Sequence, residues 1–254
     1  MGSELASRIL YCDTGCVVVN KAAGEAAEGA GKGMADLPRL LAAELARQEP
    51  ALPDDETLPL PAAVHRLDVP VSGCTVFART KTALQFLSEI FKTGGVKKLY
   101  WAIVEKPQNN GVSFSADSPA EKKELVHWIE FDSRRNKSIA HDGPGPGRKK
   151  AVLRYSMAGE GENYLFLEIE LVTGRHHQIR AQFERIGLHV KGDLKYGARR
   201  SEKNGGIRLH ARSLSFPNPS GRGGTVTVRA DPVLQDNLWK AFQSAAETVH
   251  KPAD

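Results

Sequence analysis

A chain of 254 residues can bury its own core and has no need of disulfide staples. Its composition, 41% hydrophobic and 26% charged, is that of a globular protein, and no apolar run is long enough to cross a bilayer. The net charge of +5 and the pI near 9.1 permit a polyanionic partner without requiring one.

The amino terminus "MGSELASRIL" has no hydrophobic signal core, which argues against secretion. The cysteines are odd in number (Cys12, Cys16 and Cys74), so the expectation is a reduced, cytoplasmic protein. In chain order, "CVVVN" (16–20) reads as a strand and "DLPRLLAAELARQ" (36–48) as a helix. The proline-rich stretch 49–61 predicts an irregular connector. Strand "CTVFAR" (74–79), helix "TALQFLSEIFK" (82–92) and strand "LYWAIV" (99–104) follow. "YLFLEIELV" reads as a half-buried strand with Leu165, Leu167, Ile169 and Leu171 on one face. Then come helix 177–187, extended segments 207–216 and 225–230, and helix 234–249. This irregular order predicts an α+β fold with a mixed, largely antiparallel sheet flanked by helices and loops. No internal repeat or domain boundary is evident, so a single domain over 1–254 is expected.

Basic residues gather at Arg134, Arg135 and Lys137, at Arg148, Lys149 and Lys150, and at Arg199, Arg200 and Lys203. They read as loop-borne phosphate contacts, with solvated loops as the alternative. There is no phosphate-binding loop, dinucleotide fingerprint, His-Glu-x-x-His helix or serine elbow, so no nucleotide, metal or serine nucleophile is expected. His176 and His177 are sequential and point about 100° apart on a helix, a poor start for a metal site.

Four segments remain. "HRLDVPVSG" (65–73) leads into "CTVFARTKTAL". "KLYWAIV" (98–104), "LVTGRHHQIRAQFERIGLHVKGDLKYGA" (171–198) and "RLHA" (208–211) follow in order. Together they resemble the signature of the RluA-type RNA pseudouridine synthases over about residues 9–232, with the C-terminal helix 234–249 beyond. Val71 replaces the usual threonine, Ala22 the usual proline in "NKAAG", and Gln182 stands where histidine is common.

The resemblance implies isomerisation of uridine to pseudouridine in structured RNA, ribosomal or transfer, by a cofactor-free, cytoplasmic, monomeric enzyme that touches neither metal nor membrane. With synthase-like sequence starting near residue 9, no room is expected for an N-terminal S4-type module. Asp68 is then the catalytic carboxylate, a nucleophile or a base, and Arg180 is the guanidinium that keeps it ionised. Tyr100 stacks on the uracil, with Trp101 on the opposite strand face. Arg66 holds the splayed strand, Arg175 and the cluster residues Lys149 and Lys150 take phosphates, and Leu209 walls the base pocket. His65 and Ser72 brace the loop. For Arg180, spacing alone also allows a surface pair with Glu184. Two other functions stay open: an RNA-binding protein that keeps the fold without turnover, and a glycosidase-like hydrolase, for which no second carboxylate is evident.

Overall fold

The computed structural model describes residues 5–29, 36–48, 56–107, 122–221 and 223–249. The chain forms two compact units, residues 1–98 with 211–233, and 99–210 with 234–254.

The first unit holds β1 (Ile9–Cys12), β2 (Cys16–Lys21), α1 (Leu37–Gln48), β3 (Thr57–Ala63), β4 (Ser72–Thr80), α2 (Lys81–Thr93), most of β11 (Leu209–Pro217) and β12 (Thr225–Arg229). Its strands run in the order β1-β2-β4-β11-β12, with β3 also on β4. Residues 16–19 of strand β2 are an unbroken apolar run because both faces are covered there. Val17 and Val19 meet Leu37, Leu41 and Leu45 of α1, while Cys16 and Val18 share a core with Ala83 and Leu87 of α2. The hydroxyl of Thr80 caps α2 by accepting the Ala83 N–H at 3.2 Å.

The expected connector 49–61 is half corrected. Residues 49–55 lie outside the described residues, but Thr57–Ala63 is a strand despite Pro59 and Pro61. It pairs only with β4 among the described residues, and the pairing is irregular between Thr57 and Ala62, where both prolines lie. Proline is tolerated on such an edge strand because no ladder donor is needed there.

The second unit holds β5 (Lys97–Glu105), β6 (Lys123–Asp132), β7 (Lys137–His141), β8 (Lys149–Glu160), β9 (Tyr164–Leu171), α3 (Gln178–Arg185), β10 (His189–Val190), a short 3-10 turn (Leu194–Tyr196) and α4 (Asn237–Val249). The order is β5-β9-β8-β6-β7, and β10 pairs β5. Helix α4 lays Trp239, Phe242 and Ala246 on Trp101, Ile103, Ala158 and Phe166. Strand β9 is therefore buried on both faces rather than half-buried: Phe166 is as enclosed as Leu165. Helix α4 begins at Asn237 and not at 234, because the Asp236 carboxylate takes the Trp239 N–H at 3.2 Å and sets the first turn. Lys149 and Lys150 are the exposed first residues of β8 rather than part of a loop.

Candidate active site

In the first unit, Asp68 sits half-buried in the turn between β3 and β4, closed by the Val71 N–H donating to the Asp68 carbonyl at 2.9 Å. Three features build that turn. His65 lies flat against Phe91 of α2, with ring centroids 4.6 Å apart and 7° between planes, and its Nε2 accepts the Val76 N–H at 3.1 Å. Burial, reinforced by Lys98, pushes the imidazole down to about 3, so it is a neutral brace and not an acid. Val71 is buried, so an apolar side chain suits the position where threonine is usual. Gly73 has φ +117, and a Cβ there would lie 2.3 Å from the Ala211 carbonyl oxygen, so this position admits only glycine.

Sequence reasoning missed a further member, Lys21. This wholly buried side chain ends β2 and donates to the carbonyls of Ala22 (3.1 Å), Glu25 (2.9 Å) and Val69 (3.1 Å), the last of these next to Asp68 in the chain. Burial pushes its ammonium down to about 8, although the carboxylates of Glu25 and Asp68 pull the other way. Glu25 is itself fixed by Arg8 through two bonds of 2.9 and 2.8 Å. The available signal was a lysine one residue beyond an apolar run, in "VVVNK". Arg66 is exposed beside the buried Leu67.

In the second unit, Arg180 lies in the first turn of α3 and is buried. Its Nε and one Nη donate to the two oxygens of Asp193 at 2.6 and 2.8 Å, and its guanidinium stands 4.7 Å above the Tyr196 ring. The alternative surface pair is not used, since Glu184 instead takes Lys137 at 2.8 Å. Asp193, a carboxylate to which the sequence assigned no partner, and Tyr196 both belong to the turn "GDLKYG". The Tyr196 hydroxyl accepts the Ser138 N–H at 2.8 Å and lies 2.9 Å from His177 Nδ1. That turn therefore orients the guanidinium fork from one side while α3 holds it from the other.

Gln178 and Gln182 fasten α3 to the sheet. The Gln178 side-chain oxygen accepts from Thr173 Oγ1 (2.8 Å) and the Arg175 N–H (2.9 Å), and Gln182 donates to the Leu125 carbonyl at 3.2 Å. Tyr100 and Trp101 are both buried, on opposite faces of β5. Trp101 is core, donating to Glu168 at 2.9 Å and stacking on Phe242 at 4.6 Å. Arg175 is exposed and donates through Nε to the Lys150 carbonyl at 3.1 Å, which brings Arg175 and Lys150 together, with Lys149 next along β8. Leu209 is buried at the start of β11. The neighbouring Arg208 is pinned by Asp236 at 3.0 Å and Glu202 at 2.9 Å.

Among the described residues, no group of His, Cys, Asp and Glu could hold a metal ion, and no helix is long and apolar enough to cross a membrane. A family model described as RNA pseudouridylate synthase matches residues 15–185, well over half the chain. The chain belongs to the RNA pseudouridylate synthase family. Family membership carries the enzyme class, an RNA-modifying isomerase of the RluA type. An RNA pseudouridine synthase of Zymomonas mobilis, its own role uncharacterized, is 30% identical over 84% of this chain and 88% of its own length. The ribosomal large subunit pseudouridine synthase C of Escherichia coli O157:H7 is 30% identical over 95% of this chain and 70% of its own. Other curated relatives are longer, and the chain spans 48% of some of them. Among solved structures, human RNA pseudouridylate synthase domain containing 4 shares the fold. It has a TM-score of 0.69 at 19% identity, over 97% of this chain and 95% of that one.

Proposed function

We propose that the chain isomerises uridine to pseudouridine in structured RNA, with Asp68 as its catalytic residue. The observation that carries this reading is a carboxylate in a turn that the fold over-determines, within a chain whose family performs this reaction. Neutral His65, glycine-only Gly73 and buried Lys21 all support that turn, which is more than a surface aspartate needs.

The reaction breaks the N1–C1′ bond, turns the uracil and joins C5 to C1′; the C5 proton leaves and N1 takes one up, so the product is an isomer and no redox partner is required. Asp68 acts as a nucleophile, or as a base at the ribose, and must be ionised for either. Arg180, fixed in a dry setting by Asp193, is the cation assigned to favour that ionised form. Tyr100 stacks on the uracil and assists departure of the C5 proton. A ring face suits a base that must rotate, because stacking tolerates rotation better than directional hydrogen bonds do.

Leu209 walls the pocket, exposed Arg66 holds the splayed strand, and Arg175, Lys149 and Lys150 take phosphates. The reading takes the chain, residues 1–254, as a single catalytic domain. The relatives' names make large-subunit ribosomal RNA the first substrate to test, with transfer RNA the second. A monomeric, cytoplasmic enzyme without a cofactor completes the reading, and the thiols of Cys12, Cys16 and Cys74 suit that compartment.

The test is incubation with unmodified ribosomal or transfer RNA without ATP or metal, followed by carbodiimide-dependent reverse-transcription stops. Wild type produces new stops. Asp68→Asn produces none, while its melting temperature stays near that of wild type. Stops that persist in Asp68→Asn would remove the aspartate from its role, and free uracil in place of stops would indicate hydrolysis.

A further inference from the structure

The second unit carries an exposed aromatic on the sheet face against which α3 packs. Phe131, near the end of β6, is 50% exposed, whereas Ile129, two residues back on the same face, is 4% exposed. The Phe131 ring meets the His176 ring in a T-shaped contact at 4.5 Å. His176 stacks on His177 at 3.7 Å, and His177 Nδ1 lies 2.9 Å from the Tyr196 hydroxyl. Ser138, the strand partner of Phe131, locks this column: its Oγ donates to the His176 carbonyl at 2.7 Å and lies 3.0 Å from His176 Nδ1. A single exposed phenylalanine is unremarkable by itself. This one is supported from behind by an ordered column of rings, and its surroundings are cationic.

From Phe131 to Lys150 the sequence holds six lysines and arginines against two aspartates. Lys149 lies opposite Ile129 and so shares the face of Phe131. Exposed Arg175 directly precedes His176. Nearby carboxylates are engaged locally: Asp132 accepts the backbone N–H groups of Arg134 (3.0 Å) and Arg135 (3.2 Å), and Glu184 holds Lys137 at 2.8 Å. Glu130, on the opposite face by strand alternation, pairs with Arg148 at 3.5 Å. The charge left facing solvent around the ring is positive.

We propose that Phe131 is a stacking platform for an unpaired RNA base, with Lys149 and Arg175 contacting the adjoining phosphates. The proposal rests on RNA being the substrate and adds a second base-holding aromatic to Tyr100. An aromatic ring within a basic surface matches the chemistry of a single strand, since every base has a face to stack and every linkage a charge. An apolar peptide would use the ring but would have no need of the cations.

Binding is measured for wild type, Phe131→Ala, Phe131→Trp and Lys149→Ala, against a single-stranded transcript of large-subunit ribosomal RNA and the same strand annealed to its complement. Phe131→Ala should weaken single-strand binding roughly tenfold, within the range seen when base-stacking aromatics are truncated, and leave duplex binding unchanged. Phe131→Trp should restore it. The salt dependence of Phe131→Ala should match wild type, whereas Lys149→Ala lowers the slope of log K against log salt by about 1. Equal binding of both RNAs by wild type and Phe131→Ala overturns the platform, as does an equal loss on single strand and duplex.

Pseudouridine is assayed in the same preparations. If wild type modifies RNA and Phe131→Ala binds it normally, the platform is wrong and the enzymatic reading stands. If wild type makes no pseudouridine but its single-strand binding depends on Phe131, the platform stands and the enzymatic reading falls.

Discussion

The two units hold their key charged side chains by different means. The turn that carries Asp68 is held by a backbone hydrogen bond, a neutral imidazole and a glycine, with one ammonium whose bonds go to carbonyl oxygens. Around Arg180 the support is ionic, a two-pronged carboxylate beneath a tyrosine ring.

Four substitutions probe that contrast. Asp193→Asn strips the carboxylate charge from a buried guanidinium and should cost about 3 kcal/mol in urea unfolding, with a loss of turnover. Glu184→Gln breaks only a half-buried pair and should cost under about 1 kcal/mol. Equal costs for the two would erase the distinction between locked and peripheral pairs.

Lys21→Met leaves three carbonyls without their donor and should cost about 2 kcal/mol at pH 7. Wild-type stability should carry a matching pH signature. The folded ammonium, pushed down to about 8, releases a proton that the unfolded lysine keeps until about 10.5, so stability rises with pH across that window. The variant should lack this rise.

His65 works in the acid range. Below about 6.5 the unfolded chain takes up a proton that the folded imidazole refuses until about 3, so stability falls with acidification by roughly 1 kcal/mol per pH unit. His65→Gln should flatten that limb in chemical denaturation at pH 4 to 6. An unchanged slope would mean that the ring is not the neutral brace described. The smallest effect is expected from Lys149→Ala on the chemical step: RNA affinity and its salt slope fall, while single-turnover rates at saturating RNA stay within about twofold.

The elements legible in the sequence were those buried on one or both faces by apolar side chains. Val17 to Val19, Val76, Leu165 to Ile169 and the stripes of α1 and α2 left clear patterns. The β6-β7-β8 region went unread because "KELVHWIEFD" and "KKAVLRYSMAGE" mix charge into both faces, as strands near a sheet edge do. Strand β3 was hidden by its prolines. Within the site, Arg180 directly follows Ile179, whose helical stripe runs on to Phe183, and it is buried with them. Lys21 and Asp193 did not declare themselves, because a buried charge and a solvated one look alike until the chain folds around them.

The prolines of β3 have a further consequence. Pro59 and Pro61 remove two amide hydrogens from a strand that pairs only with β4 among the described residues. A neighbouring molecule trying to extend the sheet there would find gaps in its ladder, so copies of the chain are discouraged from zipping together edge to edge.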